Sequence, residues 1–161
     1  MKWMCLFLSF CMVLCGCQTA APAETECVPG SISDFTFSLP EGCTLEADGE
    51  NSLHILKNGE IIGGLVLTGL DTACLEDTGD TGVHKYINSY GPMPLICEYL
   101  IMQADGFLSI SLAVSDPDTD VRTESSHRLF AYESRCFDLW FHQETDDDTS
   151  AAIFQSIRGT E

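Results

Sequence analysis

His127, Trp140 and His142 come nearest, by type and spacing, to a constellation with chemistry in it. Two neighbouring imidazoles can hold a metal ion or a carboxylate, and an indole can stack on a flat ligand. Residues 122–132 and 136–142 read as two β runs joined by a tight connection near Ser134-Arg135. With Ser134-Arg135 as a two-residue turn, Glu133 faces Cys136, Leu129 faces Trp140 and His127 faces His142. Alternation then sends Phe130, Tyr132, Phe137, Leu139 and Phe141 to the opposite face, which has the composition of a core. The expectation is a surface cluster of His127, Trp140 and His142, open to a small ligand. Two polar residues on a half-exposed edge would leave the same trace in sequence.

Other chemistry is sparse. Asp116-Pro-Asp118-Thr-Asp120 sets acids at alternate positions, as the first half of a calcium loop does. Val121 stands where the sharp turn needs Gly, and no Glu stands at the twelfth position, so a hairpin turn explains the run. No Gly-x-Ser-x-Gly elbow, Ser-x-x-Lys, paired-His metallopeptidase helix or P-loop occurs. No catalytic residue, metal ligand set or cofactor is therefore expected. Past the first 17 residues the cysteines are Cys27, Cys43, Cys74, Cys97 and Cys136. Their gaps are too long for the close pairs of a zinc site, and an odd number leaves at least one thiol outside any internal disulfide.

The amino terminus carries a different chemistry. Lys2 is followed by Trp3 through Leu14, apolar except for Ser9, and then by Leu14-Cys15-Gly16-Cys17. One basic residue before about a dozen apolar ones matches an export signal and falls short of the ~20 needed to span a bilayer. The ending resembles the lipobox of bacterial lipoproteins, with Cys15 where Ala, Ser or Thr is commoner. The resemblance implies cleavage before Cys17, a diacylglyceryl group on its thiol, and a membrane anchor facing outside the cytoplasm. Gln18 is not the Asp of an inner-membrane retention signal, so a two-membrane host is expected to send the chain to its outer membrane. Seven basic residues stand against 25 acidic ones, a formal charge of −18, and cleavage removes one of the seven, Lys2. Such a surface repels nucleic acid and anionic head groups.

The elements that must position these residues are legible in outline. Residues 1–16 read as the leader, 17–33 as the lipidated Cys with a flexible linker rich in Ala, Thr, Pro, Ser and Glu, and 34–158 as one domain. Phe35, Phe37 and Leu39 alternate as a strand ending at Pro40-Glu41-Gly42, and a short strand is expected at Cys43 to Ala47. Leu53 to Leu56 and Glu60 to Thr68 flank Asn58-Gly59, a strong hairpin signal. Gly63-Gly64 suggests a bulge or the close approach of another backbone. Gly82 to Tyr90 reads as a helix with Val83, Tyr86, Ile87 and Tyr90 on one side, stopped by Gly91-Pro92. Strands at Leu95 to Met102, Phe107 to Val114, Arg122 to Tyr132 and Cys136 to His142 follow. Asp146-Asp147-Asp148 then opens a helix that buries Ile153, Phe154 and Ile157. The expectation is an α+β fold: a mostly antiparallel sheet of about six or seven strands flanked by helices.

The opening Phe35-Thr-Phe37-Ser-Leu39-Pro40-Glu41-Gly42, the long antiparallel run and the closing Ile153-Phe154-Gln155-Ser156-Ile157 resemble the PsbP/Mog1-like family, which includes small bacterial lipoproteins. Cys43 stands where that opening commonly continues with an aromatic residue. The resemblance implies an antiparallel sheet with flanking helices and an accessory or binding role without a shared catalytic set. The leading functional expectation is a non-enzymatic, membrane-tethered interaction module with an envelope protein as partner. The alternative is a small-ligand or metal-binding lipoprotein using the sheet face around Trp140. A hydrolase lacking any recognisable motif is a third reading.

Overall fold

The alternating runs become strands joined by short turns in a computed structural model of the protein, which describes residues 26–27, 32 and 35–159. In chain order the elements are β1 (Glu26–Cys27), β2 (Phe35–Phe37), β3 (Cys43–Ala47), β4 (Ser52–Lys57), β5 (Glu60–Leu67), α1 (Thr81–Asn88), β6 (Ile96–Ala104), β7 (Phe107–Ser115), β8 (Arg122–Tyr132), β9 (Arg135–His142), α2 (Asp147–Ser156) and β10 (Arg158–Gly159). Seven strands form one sheet in the order β3-β4-β5-β9-β8-β7-β6, every neighbouring pair antiparallel. This is the mostly-sheet α+β fold read from the sequence. The chain lays down β3 to β5 as a meander and passes through α1 to the far edge. It then returns through β6, β7 and β8, and β9 inserts beside β5. β9 is thus the central strand.

Turn chemistry sets the register. Asn58 and Gly59 take φ of 55° and 86° between β4 and β5, as a two-residue hairpin with right-handed strands requires. Between β8 and β9 the turn is Glu133-Ser134, with φ of 46° and 65°, and not Ser134-Arg135. The pairing therefore slips by two residues from the one expected. Tyr132 meets Arg135, Ala131 meets Cys136, His127 meets Trp140, and Ser125 meets His142. Because side chains alternate with period two, this slip changes every partner and leaves every face unchanged.

The Gly63-Gly64 signal marks both expected features. The β4–β5 register shifts between Ile55 and Leu56, and a Cβ on Gly63 would lie 2.3 Å from the Trp140 carbonyl oxygen. On Gly64 it would lie 2.9 Å from Trp140 Nε1, so the missing side chain is what leaves room for the indole beside β5.

Both faces of the sheet are covered. α2 starts at Asp146, whose carboxylate accepts from the Thr149 N–H at 2.7 Å. It closes a core of Leu53, Ile55, Leu65, Phe137, Leu139 and Ile153. α1 starts at Asp80, which accepts from the Val83 N–H at 3.0 Å. Val83 and Ile87, one turn apart, pack on Leu108, Ile110, Leu129 and Cys136. Each such buried side chain contributes about 1.5–3 kcal/mol. Tyr90 and Gly91 lie beyond the end of α1, whose C-cap is Ser89. Gly91 serves a close approach instead, since a Cβ there would stand 2.5 Å from Cys97 Sγ. The polar stretch after β5 holds a short 3-10 turn, Thr72–Glu76, that periodicity did not reveal.

The opening strand departs from expectation in its company. β2 pairs with β1 and β10 in a separate small sheet. Within the stretch read as linker, β1 is paired and Ile32 is buried in the α2-side core. Cys17 and the leader before it lie outside the described residues. Among the described residues no helix is long and apolar enough to cross a membrane.

Candidate functional site

β9 carries one acid, Asp138, between Phe137 and Leu139, and all three are fully buried. Asp138 points to the α1 side, where Tyr86 and Tyr90, spaced one helical turn apart, reach down to it. Tyr86 Oη donates to Asp138 Oδ2 at 2.9 Å and Tyr90 Oη donates to the same oxygen at 2.8 Å. Burial first, and then the Asp138 charge, push both phenol pKa values up, so both remain donors. The third partner of that oxygen is His127 Nδ1, at 2.8 Å. Among the described residues no donor reaches Asp138 Oδ1, an omission that costs about 1–3 kcal/mol for a buried oxygen.

This arrangement selects the tautomer of the imidazole. A carboxylate only accepts, so the Nδ1 of His127 must carry the proton. In the neutral ring Nε2 is then an acceptor, and Ser125 Oγ lies 2.9 Å from it. Ser125, His127 and Asp138 thus form a continuous hydrogen-bonded line across β8 and β9. The Tyr90 ring stands edge-on to the imidazole at 4.8 Å between centroids and closes it from above.

Ser125 opens on a cleft of about 420 Å³ lined by Leu95, Leu112, Val114, His127, Trp140 and His142, among others. Its floor is aliphatic, and its polar groups are hydroxyls, imidazoles and the indole. The Trp140 and His142 rings meet edge to face at 5.1 Å, and His54 approaches the indole from β4 at 6.3 Å.

Of the residues expected here, His127, Trp140 and His142 do share one face and one cleft. The expected surface cluster is corrected in two respects. His127 is 1 % exposed, because α1 must bury Val83 and Ile87 on this same face. It also faces Trp140, and not His142, because the turn falls one residue earlier. Sequence reading missed Ser125, Asp138, Tyr86 and Tyr90 as site residues. The signal for Asp138 was present: a single acid in the run Cys136-Phe-Asp-Leu-Trp-Phe, on the same alternation as Trp140 and His142.

The two buried thiols offer no competing nucleophile. Cys74 and Cys136 are buried beneath α1 and hydrogen-bonded to each other, and desolvation pushes Cys74 up to about 12 and raises Cys136. Both are thiols at neutral pH, not nucleophilic thiolates. In the acidic run, Asp116 is spent on its own turn, accepting from the Asp118 N–H at 2.9 Å and from Thr119 Oγ1 at 2.7 Å. Among the described residues no group of three or more His, Cys, Asp or Glu is arranged to hold a metal ion.

No family model matches the chain, and no curated protein matches it. Among solved structures it is similar to a protein of Bacteroides thetaiotaomicron VPI-5482 determined at 1.50 Å, with a TM-score of 0.51 and 8 % sequence identity. The match covers 88 % of this chain and 50 % of that one, so the chain spans about half the length of its structural relative. A likeness at this identity speaks to the fold alone.

Proposed function

We propose that this protein is a lipid-anchored, extracytoplasmic binding protein that takes a compact, largely apolar ligand in the cleft beside Trp140. The cleft carries the reading: about 420 Å³ lies within the range of small-molecule sites, and an apolar wall with a few convergent polar groups is their usual make-up. The anchoring half rests on the basic start, apolar run and lipobox-like ending at Cys17, and it places the domain on a membrane surface outside the cytoplasm (the outer membrane in a two-membrane host). The antiparallel sheet with a helix on each face is in keeping with a PsbP/Mog1-like assignment, which we adopt as the fold family. The acidic surface argues against nucleic acid as a partner.

After cleavage Trp140 is the only tryptophan, so its fluorescence reports the cleft directly. Titration with small aromatic and acyl compounds is expected to quench or shift its emission saturably, and Val114→Phe, which narrows the cleft without adding a tryptophan, to abolish the response. A flat response across a broad panel overturns the reading.

A second reading, an interaction module for an envelope protein, is favoured by one observation. Ile96, Leu100 and Met102 alternate along the edge strand β6 and are each about half exposed, on the face opposite α1. Leu100→Glu with Met102→Lys is expected to abolish capture of such a partner from crosslinked membranes while the domain stays folded. Undiminished capture rejects this surface.

A further inference from the structure

The absence of a hydrolase motif led to the expectation of a protein without catalysis. No motif describes a Ser and a His two apart on one strand with an Asp on the next, yet that is what β8 and β9 align. We propose that Ser125, His127 and Asp138 form a nucleophilic relay, and that the cleft hydrolyses carboxylic esters with a compact acyl or aryl group. The proposal rests on the cleft being a ligand site, as argued above.

Three observations carry it. First, the atoms are the ones the chemistry needs: Ser125 Oγ on His127 Nε2 at 2.9 Å and His127 Nδ1 on Asp138 Oδ2 at 2.8 Å. This is the order in which a serine hydroxyl gives up its proton to a base that a carboxylate orients. Secondly, access is graded along the line. Ser125 is half-buried at the cleft wall, whereas His127 and Asp138 are 1 % and 0 % exposed, so the nucleophile is reachable from the cleft that His127 also lines. Thirdly, the line is expensive to keep. A buried carboxylate with one oxygen unpartnered among the described residues is a poor structural choice where a packed apolar pair would serve. Tyr86 and Tyr90 both donate to Asp138 Oδ2, the oxygen that faces Nδ1, so with a carboxylate there Nδ1 carries the proton and Nε2 accepts from Ser125.

The reaction balances as follows. Ser125 Oγ bonds to the ester carbonyl carbon as its proton passes to His127 Nε2. The carbonyl electron pair returns, the bond from carbon to the alcohol oxygen breaks, and the leaving alkoxide takes the proton from Nε2. Water then attacks the acyl-Ser125 ester and gives its proton to Nε2. The bond from the acyl carbon to Oγ breaks, Oγ is reprotonated, and the carboxylic acid leaves. His142, opposite Ser125 in the register, is a donor in the same cleft for the oxyanion. The aliphatic side chains of Leu95, Leu112 and Val114 suit the acyl group. Asp138 touches no substrate and is a positioning residue.

The test uses the full chain in detergent with p-nitrophenyl butyrate as substrate and a fluorophosphonate as covalent probe, which phosphonylates an activated serine with loss of fluoride. The expected result is saturable hydrolysis and a probe adduct mapped by mass spectrometry to Ser125. Ser125→Ala should lose both while retaining saturable Trp140 quenching by butyrate or phenyl compounds. His127→Gln should slow labelling by on the order of a hundredfold or more. Asp138→Asn should lower kcat with KM little changed, since the amide can donate to Nδ1 and leave the proton on Nε2, a change that mere loosening of the fold would not confine to kcat. Quenching with neither adduct nor turnover overturns the catalytic proposal and leaves the binding site standing. Neither quenching nor adduct overturns both. An adduct on another residue, or turnover that survives Ser125→Ala, also overturns the relay.

Discussion

At the scale of single residues the molecule turns on one buried oxygen. Asp138 Oδ2 receives Tyr86, Tyr90 and His127, and hydrogen bonds to a buried charge are the ones whose loss is felt most. Tyr86→Phe and Tyr90→Phe each remove one donor and keep the ring, so each is expected to destabilise the fold by about 1.5–3 kcal/mol in urea denaturation. The paired substitution should cost less than the sum, because the two phenols share an acceptor and touch each other at 2.9 Å. Strict additivity would mean that Asp138 does not hold them as one network. Alternation grouped His127, Trp140 and His142 correctly without any structure. It said nothing of Tyr86 and Tyr90, which arrive from α1 and the turn that follows it, some 40 residues earlier (roughly, counting from β8), and meet the site only through packing.

At the scale of elements, two details can be tested. The β8–β9 turn asks two residues with side chains, Glu133 and Ser134, to take positive φ, where Asn-Gly is the favoured pair. Glu133→Asn with Ser134→Gly should stabilise the domain by about 1–2 kcal/mol, read as a higher denaturation midpoint at unchanged slope. The N-cap of α2 supplies the pH-dependent element. The Thr149 N–H, then its hydroxyl, then Lys57 hold Asp146 well below its ordinary 3.8, at about 2. A carboxyl depressed on folding stabilises the native state above its unfolded pKa, and that contribution fades as pH falls from 3.8 through about 2. Asp146→Asn keeps a capping oxygen, so it should fold at neutral pH and lose this part of the acid sensitivity. An unchanged acid profile would show that the cap does not titrate. The Asn58-Gly59 turn and the Asp146 helix start were legible because their signals are local; the β8–β9 turn was misplaced by one residue because neither Glu133 nor Ser134 carries a turn signature.

At the scale of the whole molecule, the proposal joins a lipidated amino terminus to a domain whose cleft faces water. One acyl chain holds a protein only marginally, whereas the two of a diacylglyceryl group anchor it stably. Growth with labelled palmitate should therefore label the wild-type chain in the membrane fraction, and Cys17→Ala should lose the label and leave the membrane. Label retained by Cys17→Ala would remove the anchor from the proposal. With 25 acidic residues against seven basic ones, the chain as a whole is repelled from anionic lipid surfaces. In the proposed arrangement the anchor would hold the cleft near the membrane without the domain adhering to it.

The sequence by itself determined the seven strands of the main sheet, the presence of both helices, the Asn58-Gly59 hairpin, and which side chains of β8 and β9 share a face. Each of these depends on neighbours in the chain or on a period of two or 3.6, and none requires knowing what lies across the sheet. Tertiary structure alone decided that this face is interior, that β9 stands at the centre, and that Ser125, His127 and Asp138 fall into line. Those outcomes depend on α1 crossing from β5 to the far edge and pressing Val83, Ile87 and two tyrosines onto strands distant in sequence. Periodicity divides a strand into two faces; only packing determines which of them meets water.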